Sequence, residues 1–471
     1  MNFDFNDAIC AISTPPGSGA IAIVRLSGKK ILPIVSKIFF DKDSHLPKEL
    51  KPRKATFGII RHSDEIIDEV ISTYFPAPGS YTGQDVIEIA CHGSTYIQRK
   101  IMETLIELGC RTALPGEFTM RAFLNRKIDL TQAESIANLI NARNATAHRI
   151  AMSQMKGSFS KRINTLSDKL LNLLSLVELE LDFGDEDVEF AQRDQLRNLL
   201  QEIELETRRL YESYRLGQTI KNGIPVAIVG HPNAGKSTLL NQLLQEERAI
   251  VSEIPGTTRD AIEDTITFRN VEFRFIDTAG IRQSSDHVEK IGIARSLEKI
   301  ETAWIILFLF DCTENIKTII ETFEQVTDKI QKDQRLILIA NKIDLVLPEQ
   351  QAQIFSEFTA KTGINNAQMI SISAKTDQNI DLLINKLEEI ARELLPEEGD
   401  VIVSNTRQYE LLHRILQSLS DCKNALDNNR TSEILAFELR QVQHLMGELT
   451  GTVITADMVL GNIFQNFCIG K

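Results

Sequence analysis

Six cysteines are scattered through the 471 residues, at Cys10, Cys91, Cys110, Cys312, Cys422 and Cys468, and no two stand in a Cys-x-x-Cys pair. That spacing excludes a zinc ribbon and a disulfide-stapled scaffold, and it suits a reducing cytoplasm, which is the expected location. No apolar run is long enough to span a bilayer. The strongest, Trp304 to Phe310, is predicted to be a buried strand, and no membrane association is expected. The opening Met1-Asn2-Phe3-Asp4 is acidic and lacks the shape of a signal peptide. Basic charge is also scarce: 52 Lys and Arg stand against 65 Asp and Glu, a net charge of −13. The balance argues against a surface that clamps a polyanion on every side, while leaving room for a local basic patch. What is present, 42% apolar and 25% charged residues, is the composition of a globular chain with several domains.

One stretch organises the rest. Gly230-His231-Pro232-Asn233-Ala234-Gly235-Lys236-Ser237 follows an apolar strand and opens an apolar-periodic helix beginning at Thr238. Strand, glycine-rich loop and helix N-terminus form a phosphate cradle. Gly230 and Gly235 let backbone N–H groups point into one concavity, Lys236 brings positive charge to the outer phosphates, and Ser237 offers a hydroxyl to Mg²⁺.

Residues 1–120 read as an α/β domain. Strands are expected at Ala8–Ile12, Ala20–Leu26, Ala55–Arg61, Glu69–Phe75 and Asp85–Cys91, and a helix at Thr95–Leu108. Gly17-Ser18-Gly19 lacks a following Lys-Ser/Thr and reads as a hairpin turn. His92 beside Cys91 has no second ligand pair at metal spacing and reads as a packed or turn histidine. From Pro115 the pattern turns helical, with expected helices at Leu130–Ala145, Ala151–Leu181 and Asp194–Leu216, within a helical part placed at 121–220. The acidic run Asp182 to Glu189 reads as a solvated loop. Residues 221–395 alternate strand and helix, with strands at Val226–Val229, Phe273–Ile276, Ile305–Phe310, Leu336–Ala340 and Met369–Ile372, which implies a mostly parallel, doubly wound sheet. Pro396-Glu397-Glu398-Gly399-Asp400 reads as a linker, and residues 396–471 as helical again, clearest at Leu411–Leu419 and Ile434–Leu449. The α/β unit is therefore expected to be inserted into a helical domain.

Further motifs follow the phosphate loop in the order a GTPase requires. In Gly256-Thr257-Thr258-Arg259-Asp260 a threonine can reach Mg²⁺ and the γ-phosphate. In Asp277-Thr278-Ala279-Gly280, Asp277 can hold Mg²⁺ through water and the Gly280 N–H can meet the γ-phosphate. In Asn341-Lys342-Ile343-Asp344, the Asp344 carboxylate can accept two N–H bonds from guanine, which adenine cannot offer. In Ser373-Ala374-Lys375 a backbone N–H can contact the guanine oxygen. Most of these close an apolar strand, where open α/β sheets bind ligands. Ile281 stands where Ras-type enzymes carry a water-orienting glutamine, so hydrolysis is slow or falls to another group; Glu289, Arg282 and Arg259 are candidates. Asn233 offers a neutral oxygen beside the phosphates, where a monovalent cation could supply the charge an arginine supplies elsewhere. Cys468-Ile469-Gly470-Lys471 is a poor prenylation box, so no lipid is expected.

Together these motifs, with Pro15-Pro16-Gly17, Ser80-Tyr81-Thr82-Gly83, Pro115-Gly116-Glu117-Phe118, Arg121-Ala122-Phe123-Leu124-Asn125 and the Cys-Ile-Gly-Lys ending, resemble the MnmE (TrmE) family of tRNA-modification GTPases over essentially the full length. The resemblance implies a multidomain α/β and all-α architecture: an N-terminal α/β folate-binding-like domain that dimerises, a helical domain, and an inserted Ras-like P-loop GTPase domain. It implies that Arg25, Glu88, Lys127 and Lys471 contact 5-formyltetrahydrofolate or a related one-carbon folate, and that Cys468 takes part in the modification chemistry. In the GTPase domain it implies Mg²⁺ on Ser237 and Thr258, and K⁺ on Asn233 with the loop Ser252, Glu253, Ile254, Pro255, Gly256, Thr257, where Ser252, Ile254 and Thr257 are the ligands and Ser252 replaces the family's threonine. GTP would be held by Asn233, Ala234, Gly235, Lys236, Ser237, Thr238, that loop through Thr258, Asp277, Thr278, Ala279, Gly280, Asn341, Lys342, Asp344, Ser373, Ala374 and Lys375. Glu289 would orient or activate water. The implied activity is K⁺-dependent GTP hydrolysis by a homodimer that, with a FAD- and NADH-using partner (MnmG, or GidA), adds an aminomethyl or carboxymethylaminomethyl group to the wobble uridine of tRNA. A regulatory GTPase switch in ribosome assembly is the alternative.

Overall fold

A computed structural model of the chain describes residues 7–43, 46–182, 193–248, 264–268, 271–276, 300–331, 333–363, 369–394, 399–428, 430–453 and 470. The chain divides into two units, one formed by residues 1–140, 152–207 and 410–471, the other by 141–151 and 208–409.

In the first unit the elements are β1 (Ile9–Ile12), β2 (Ile21–Ser27), α1 (Ile31–Val35), β3 (Phe39–Phe40), β4 (Ala55–His62), β5 (Glu65–Phe75), β6 (Val86–His92), α2 (Thr95–Glu107), β7 (Arg111–Thr112), α3 (Glu117–Leu124) and α4 (Leu130–Ile140). Helices α5 (Ala145–Met155), α6 (Ser158–Asp182) and α7 (Arg193–Asn222) follow. The strands form one seven-stranded sheet in the order β3-β4-β5-β6-β2-β1-β7, antiparallel except for the β1–β7 pair. Along β2, Ala22, Val24 and Leu26 turn into a core shared with Ile87 and Ile89 of β6 and Ile101 and Leu105 of α2. The period of two in a strand sends Arg25 and Glu88 to the opposite face, and the register sets them side by side.

Several elements here differ from the expectation. Ala151–Leu181 is not one helix: α5 stops at Met155 and α6 starts at Ser158, because Gly157 takes a left-handed φ of 84°. Helix α3 starts directly after Gly116, where the reading had only a change of character. The two-residue strands β3 and β7 are too short to show a period. The acidic run, from residue 183 onward, lies outside the described residues.

The second unit is built on β8 (Ile224–Val229), α8 (Lys236–Arg248), β9 (Asp264–Phe268), β10 (Val271–Phe275), β11 (Ile305–Asp311), α9 (Ile316–Thr327), β12 (Arg335–Asn341), α10 (Pro348–Thr362), β13 (Met369–Ser371) and α11 (Ile380–Leu394). Its sheet runs β13-β12-β11-β8-β10-β9 and is parallel except for the edge pair β10–β9. Every residue of β11 is buried, as a central parallel strand covered on both faces requires. Ile305, Leu307 and Leu309 pack with Leu239 and Leu243 of α8 and Leu383 and Leu387 of α11; Ile306, Phe308 and Phe310 pack with Ile319 and Phe323 of α9 and Phe358 of α10. The edge strand β9 was not anticipated from the sequence. Residues 402–404 lie along the end of α7: the Val403 N–H donates to Ser213 Oγ at 3.0 Å, and Gln218 Nε2 donates to the Ser404 carbonyl at 2.9 Å.

Two helices, α12 (Thr406–Asp427) and α13 (Ser432–Thr450), complete the described chain. Within the first unit α13 lies on α6, with Gln443 Nε2 donating to Ser167 Oγ at 2.9 Å and Arg440 paired with Glu178 at 2.8 Å.

Candidate nucleotide site and one-carbon site

In the second unit the sheet brings the carboxyl ends of β8, β11, β12 and β13 to one edge. The loop after β8 is fixed by steric need. Gly230 has φ 149°, and a Cβ there would lie 2.0 Å from the Leu309 carbonyl oxygen; Gly235 has φ 98°, and a Cβ there would lie 2.3 Å from Asn341 Nδ2. Asn233 itself takes φ 65° and is exposed. Lys236 Nζ donates to the carbonyls of Gly230 and His231, each at 2.9 Å, so its ammonium sits over the loop's own concavity. Ser237 and Thr238 follow in the first turn of α8, the end of a helix whose free N–H groups favour anions.

Asn341 joins this loop to the segment at Ser373–Lys375. It is 2% exposed; its Nδ2 donates to the Ala234 carbonyl at 2.7 Å, and its Oδ1 accepts from the Ala374 N–H at 3.0 Å. Ser373 Oγ donates to Asp344 Oδ1 at 2.6 Å, orienting that exposed carboxylate. Lys375 is exposed beside them. Asn233, Ala234, Gly235, Lys236, Ser237, Thr238, Asn341, Lys342, Asp344, Ser373, Ala374 and Lys375 are thus brought to one edge of the sheet. Ser252, Glu253, Ile254, Pro255, Gly256, Thr257, Thr258, Arg259, Asp277, Thr278, Ala279, Gly280, Ile281, Arg282 and Glu289 lie outside the described residues.

Two acids not singled out from the sequence stand at the last residue of β11 and in the turn that follows it. Asp311 accepts from Lys342 Nζ at 2.5 Å, and Glu314 Oε1 lies 2.9 Å from His231 Nδ1. The one signal for them was a pair of acids directly after the most apolar strand, in Asp311-Cys312-Thr313-Glu314.

In the first unit, Arg25 Nε and Nη2 meet Glu88 Oε1 at 2.9 and 2.8 Å, with one fifth and under one third of the two side chains exposed. The Arg25 guanidinium also lies over the rings of Tyr81 and Phe118, 5.8 Å from each centroid. The Gly470 carbonyl accepts from Arg25 Nη1 at 3.2 Å and from Ser13 Oγ at 3.0 Å, so the chain end reaches this face. Tyr81 is tied to Thr119 at 2.8 Å, and burial raises its phenol above the ordinary value. Thr82 is tied to Ser27 at 2.8 Å and to Asn125 Nδ2 at 2.8 Å. Lys127 Nζ donates to the Pro78 carbonyl at 3.0 Å. The motifs at 80–83 and 121–125 therefore meet in space and form a wall beside Arg25 and Glu88. Cys468 and Lys471 lie outside the described residues.

Beneath this wall is a network of buried charge. Glu117, 1% exposed, accepts from Arg111 Nη2 at 2.7 Å, Arg121 Nη2 at 2.8 Å and the Leu114 N–H at 2.8 Å. Burial opposes its ionisation, but these donors outweigh it and hold the carboxyl below its ordinary value; Arg111 is raised in return, chiefly by Glu117. Elsewhere His92 Nδ1 lies 2.7 Å from the Asp68 carboxylate. Among the described residues no cluster of His, Cys, Asp and Glu is arranged to hold a metal ion, and no helix is long and apolar enough to cross a membrane.

A glycine-rich loop bound to the carboxyl end of β12, in a parallel sheet with one antiparallel edge, defines a phosphate-loop protein with a Ras-like GTPase domain; it is joined here to an N-terminal α/β domain and a helical domain. The relatives name the family more narrowly. The family profile described as the GTP-binding protein TrmE N-terminus matches residues 8–127, and that of the MnmE helical domain matches residues 130–468. The tRNA modification GTPase MnmE of Christiangramia forsetii is 46% identical over 473 residues, covering 99% of each chain. That of Bacteroides fragilis is 47% identical over 466 residues, again 99% of each, and that of Flavobacterium johnsoniae is 46% identical over 469 residues. The chain belongs to the MnmE family of tRNA modification GTPases.

Proposed function

We propose that this chain is a K⁺-dependent GTP hydrolase that works in tRNA modification and, with a FAD-dependent partner, installs an aminomethyl or carboxymethylaminomethyl group at carbon 5 of the wobble uridine. The observation that carries the GTPase part is the Asn341 bridge, which holds a phosphate-binding loop and a guanine-reading segment at fixed separation. Membership of the family carries the rest.

On this reading Lys236 neutralises the outer phosphates, and Asp344, aimed by Ser373, accepts the guanine N–H groups. Ser237 and Thr258 would hold Mg²⁺, and the exposed, left-handed Asn233 would hold K⁺ with Ser252, Ile254 and Thr257. The hydroxyl at a helix N-terminus and a neutral amide oxygen fit these two cations as donors. The cations supply positive charge where negative charge builds on the transferred phosphoryl group. Glu289 orients the attacking water, the role that Ile281 cannot fill.

In the first unit Arg25 suits a folate carboxylate, and Glu88 suits the N–H edge of a pterin. The exposed fractions of that pair, the Tyr81 wall and the approach of Gly470 support a site for a one-carbon folate there, with Lys127 and Lys471. Cys468 serves the modification step. The reading places a folate and dimerisation domain at 1–120, the helical domain at 121–220 and 396–471, and the inserted GTPase domain at 221–395. The acidic net charge suggests that the partner carries much of the tRNA-binding surface.

The test is GTP hydrolysis by the whole protein in KCl and in NaCl at matched ionic strength, which removes general screening. Strong activation by K⁺ is expected. Equal rates would sink the Asn233 assignment and favour a regulatory switch.

A further inference from the structure

Between the phosphate loop and the base-reading strand lies a short turn that no GTPase motif includes. It begins on the last residue of β11 and reads Asp311-Cys312-Thr313-Glu314. Asp311 is 4% exposed and is held from three sides: Lys342 Nζ at 2.5 Å, the Thr313 N–H at 2.8 Å and Thr313 Oγ1 at 2.7 Å. The Cys312 N–H donates to the Asn341 carbonyl at 3.0 Å, and the Glu314 N–H to the Asp311 carbonyl at 3.1 Å. Two residues further on, Glu314 lies against His231, the residue after Gly230 in the phosphate loop. Its second carboxylate oxygen is buried and has no hydrogen-bond partner among the described residues.

We propose that the Asp311–Glu314 turn is a positioning element of the nucleotide site, with Asp311 fixing Lys342 as a wall for the purine and Glu314 fixing His231 at the mouth of the phosphate loop. This rests on the reading that the site takes a guanine nucleotide.

The base side follows from Lys342. It takes φ 63°, a conformation uncommon for residues other than glycine. Its ammonium is tied to Asp311, so its partly exposed aliphatic stem is held in place rather than sweeping through solvent. A lysine stem with its head tied down offers its methylenes as a fixed apolar surface against which a ring can lie. Burial works against the Asp311 charge, but the Lys342 and Thr313 donors outweigh it and keep the carboxyl below its ordinary value. The tie is therefore a charge-assisted bond at neutral pH. The phosphate side follows from His231, whose ring is set by Glu314 and whose backbone carbonyl accepts from Lys236. Both ties leave one turn, and that turn is bonded to Asn341, so base and phosphate contacts are registered through one rigid segment.

The experiment measures release of fluorescent GDP from the full chain, with guanosine and GDP as competitors. Asp311→Asn weakens the tie to Lys342. It is expected to speed GDP release about tenfold and to weaken guanosine and GDP alike, because the wall faces the base. Lys342→Gln removes the same tie from the half-exposed partner and should reproduce the effect, and the double variant should add little to either. Glu314→Gln should weaken GDP several-fold while leaving guanosine unchanged, because His231 serves the phosphate loop. Urea unfolding monitored by the single Trp304 separates these from simple destabilisation. Release rates that do not change, additive Asp311 and Lys342 effects, or losses of guanosine and GDP that only track stability overturn the inference. Failure of the unaltered protein to bind GDP overturns the nucleotide reading, and the inference with it.

Discussion

Replacing Asn341 by alanine would cut a side chain that joins the phosphate loop to the segment at Ser373–Lys375. The amide makes two bonds, to the Ala234 carbonyl at 2.7 Å and from the Ala374 N–H at 3.0 Å, and Asn341, Ala234 and Ala374 are all at most 2% exposed. Alanine leaves a carbonyl and an N–H orphaned where water does not reach. Each buried orphan costs about 1–3 kcal/mol, so the pair costs roughly 2–6 kcal/mol. With a denaturant dependence of about 2 kcal/mol per molar urea, the unfolding midpoint should fall by about 1–3 M. The chain's single tryptophan, Trp304, packs against the core of the second unit, so its fluorescence reports that unit alone. Asn341→Asp discriminates further. It can still accept from Ala374, but it sets a carboxylate oxygen against the Ala234 carbonyl, and it should be no better than alanine. A midpoint shift smaller than about 0.3 M for Asn341→Ala, or an aspartate that restores stability, would refute the bridge.

Other outcomes are expected of the whole protein. Glu117 and Asp7 are both held below their ordinary values of 4.5 and 3.8, burial opposing and Arg111 and Arg121 prevailing. Their stabilisation is complete above about pH 4.5 and is lost as pH falls through the depressed folded values. Thermal unfolding followed by circular dichroism should therefore weaken below that pH, and Arg111→Gln should be less stable at pH 7 and lose less on acidification; an unchanged pH profile would contradict the network. Gly217→Ala should destabilise by about 2 kcal/mol or more in spite of better helix propensity, because its Cβ would lie 2.0 Å from the Val403 carbonyl oxygen; a more stable variant in urea would mean that the segment at 402–404 moves aside freely. Burial pushes the thiols of Cys91, Cys312 and Cys422 up to about 11, 12 and 12, and Cys10 and Cys110 are buried as well. A thiol reagent at pH 8 should find at most one fast cysteine in the native protein and all six in urea.

The sequence by itself was enough for the class of the protein, because the chemistry of phosphate and guanine recognition is carried by short contiguous runs. The loop around Lys236 and Ser237, the Asn341–Asp344 segment and Ser373–Ala374 are each legible without coordinates. The strands of the second unit were equally legible, since β8 and β11 are buried on both faces and read as unbroken apolar runs. Strand alternation marked β2 and β6, although it did not say that Arg25 and Glu88 would be neighbours. Register decided that, because a shift of one residue would turn each side chain to the other face. The break at Gly157 was hidden because one left-handed glycine interrupts an apolar period without changing it. The edge strand β9 was missed for a similar reason: a strand of five residues pairing only with its neighbour carries little pattern of its own. Above all, the ties made by Asp311, Glu314 and Asn341 were decided by tertiary structure. They join positions some 30 to 110 residues apart, and only the parallel sheet, which gathers the ends of β8, β11, β12 and β13 along one edge, sets them within hydrogen-bonding distance.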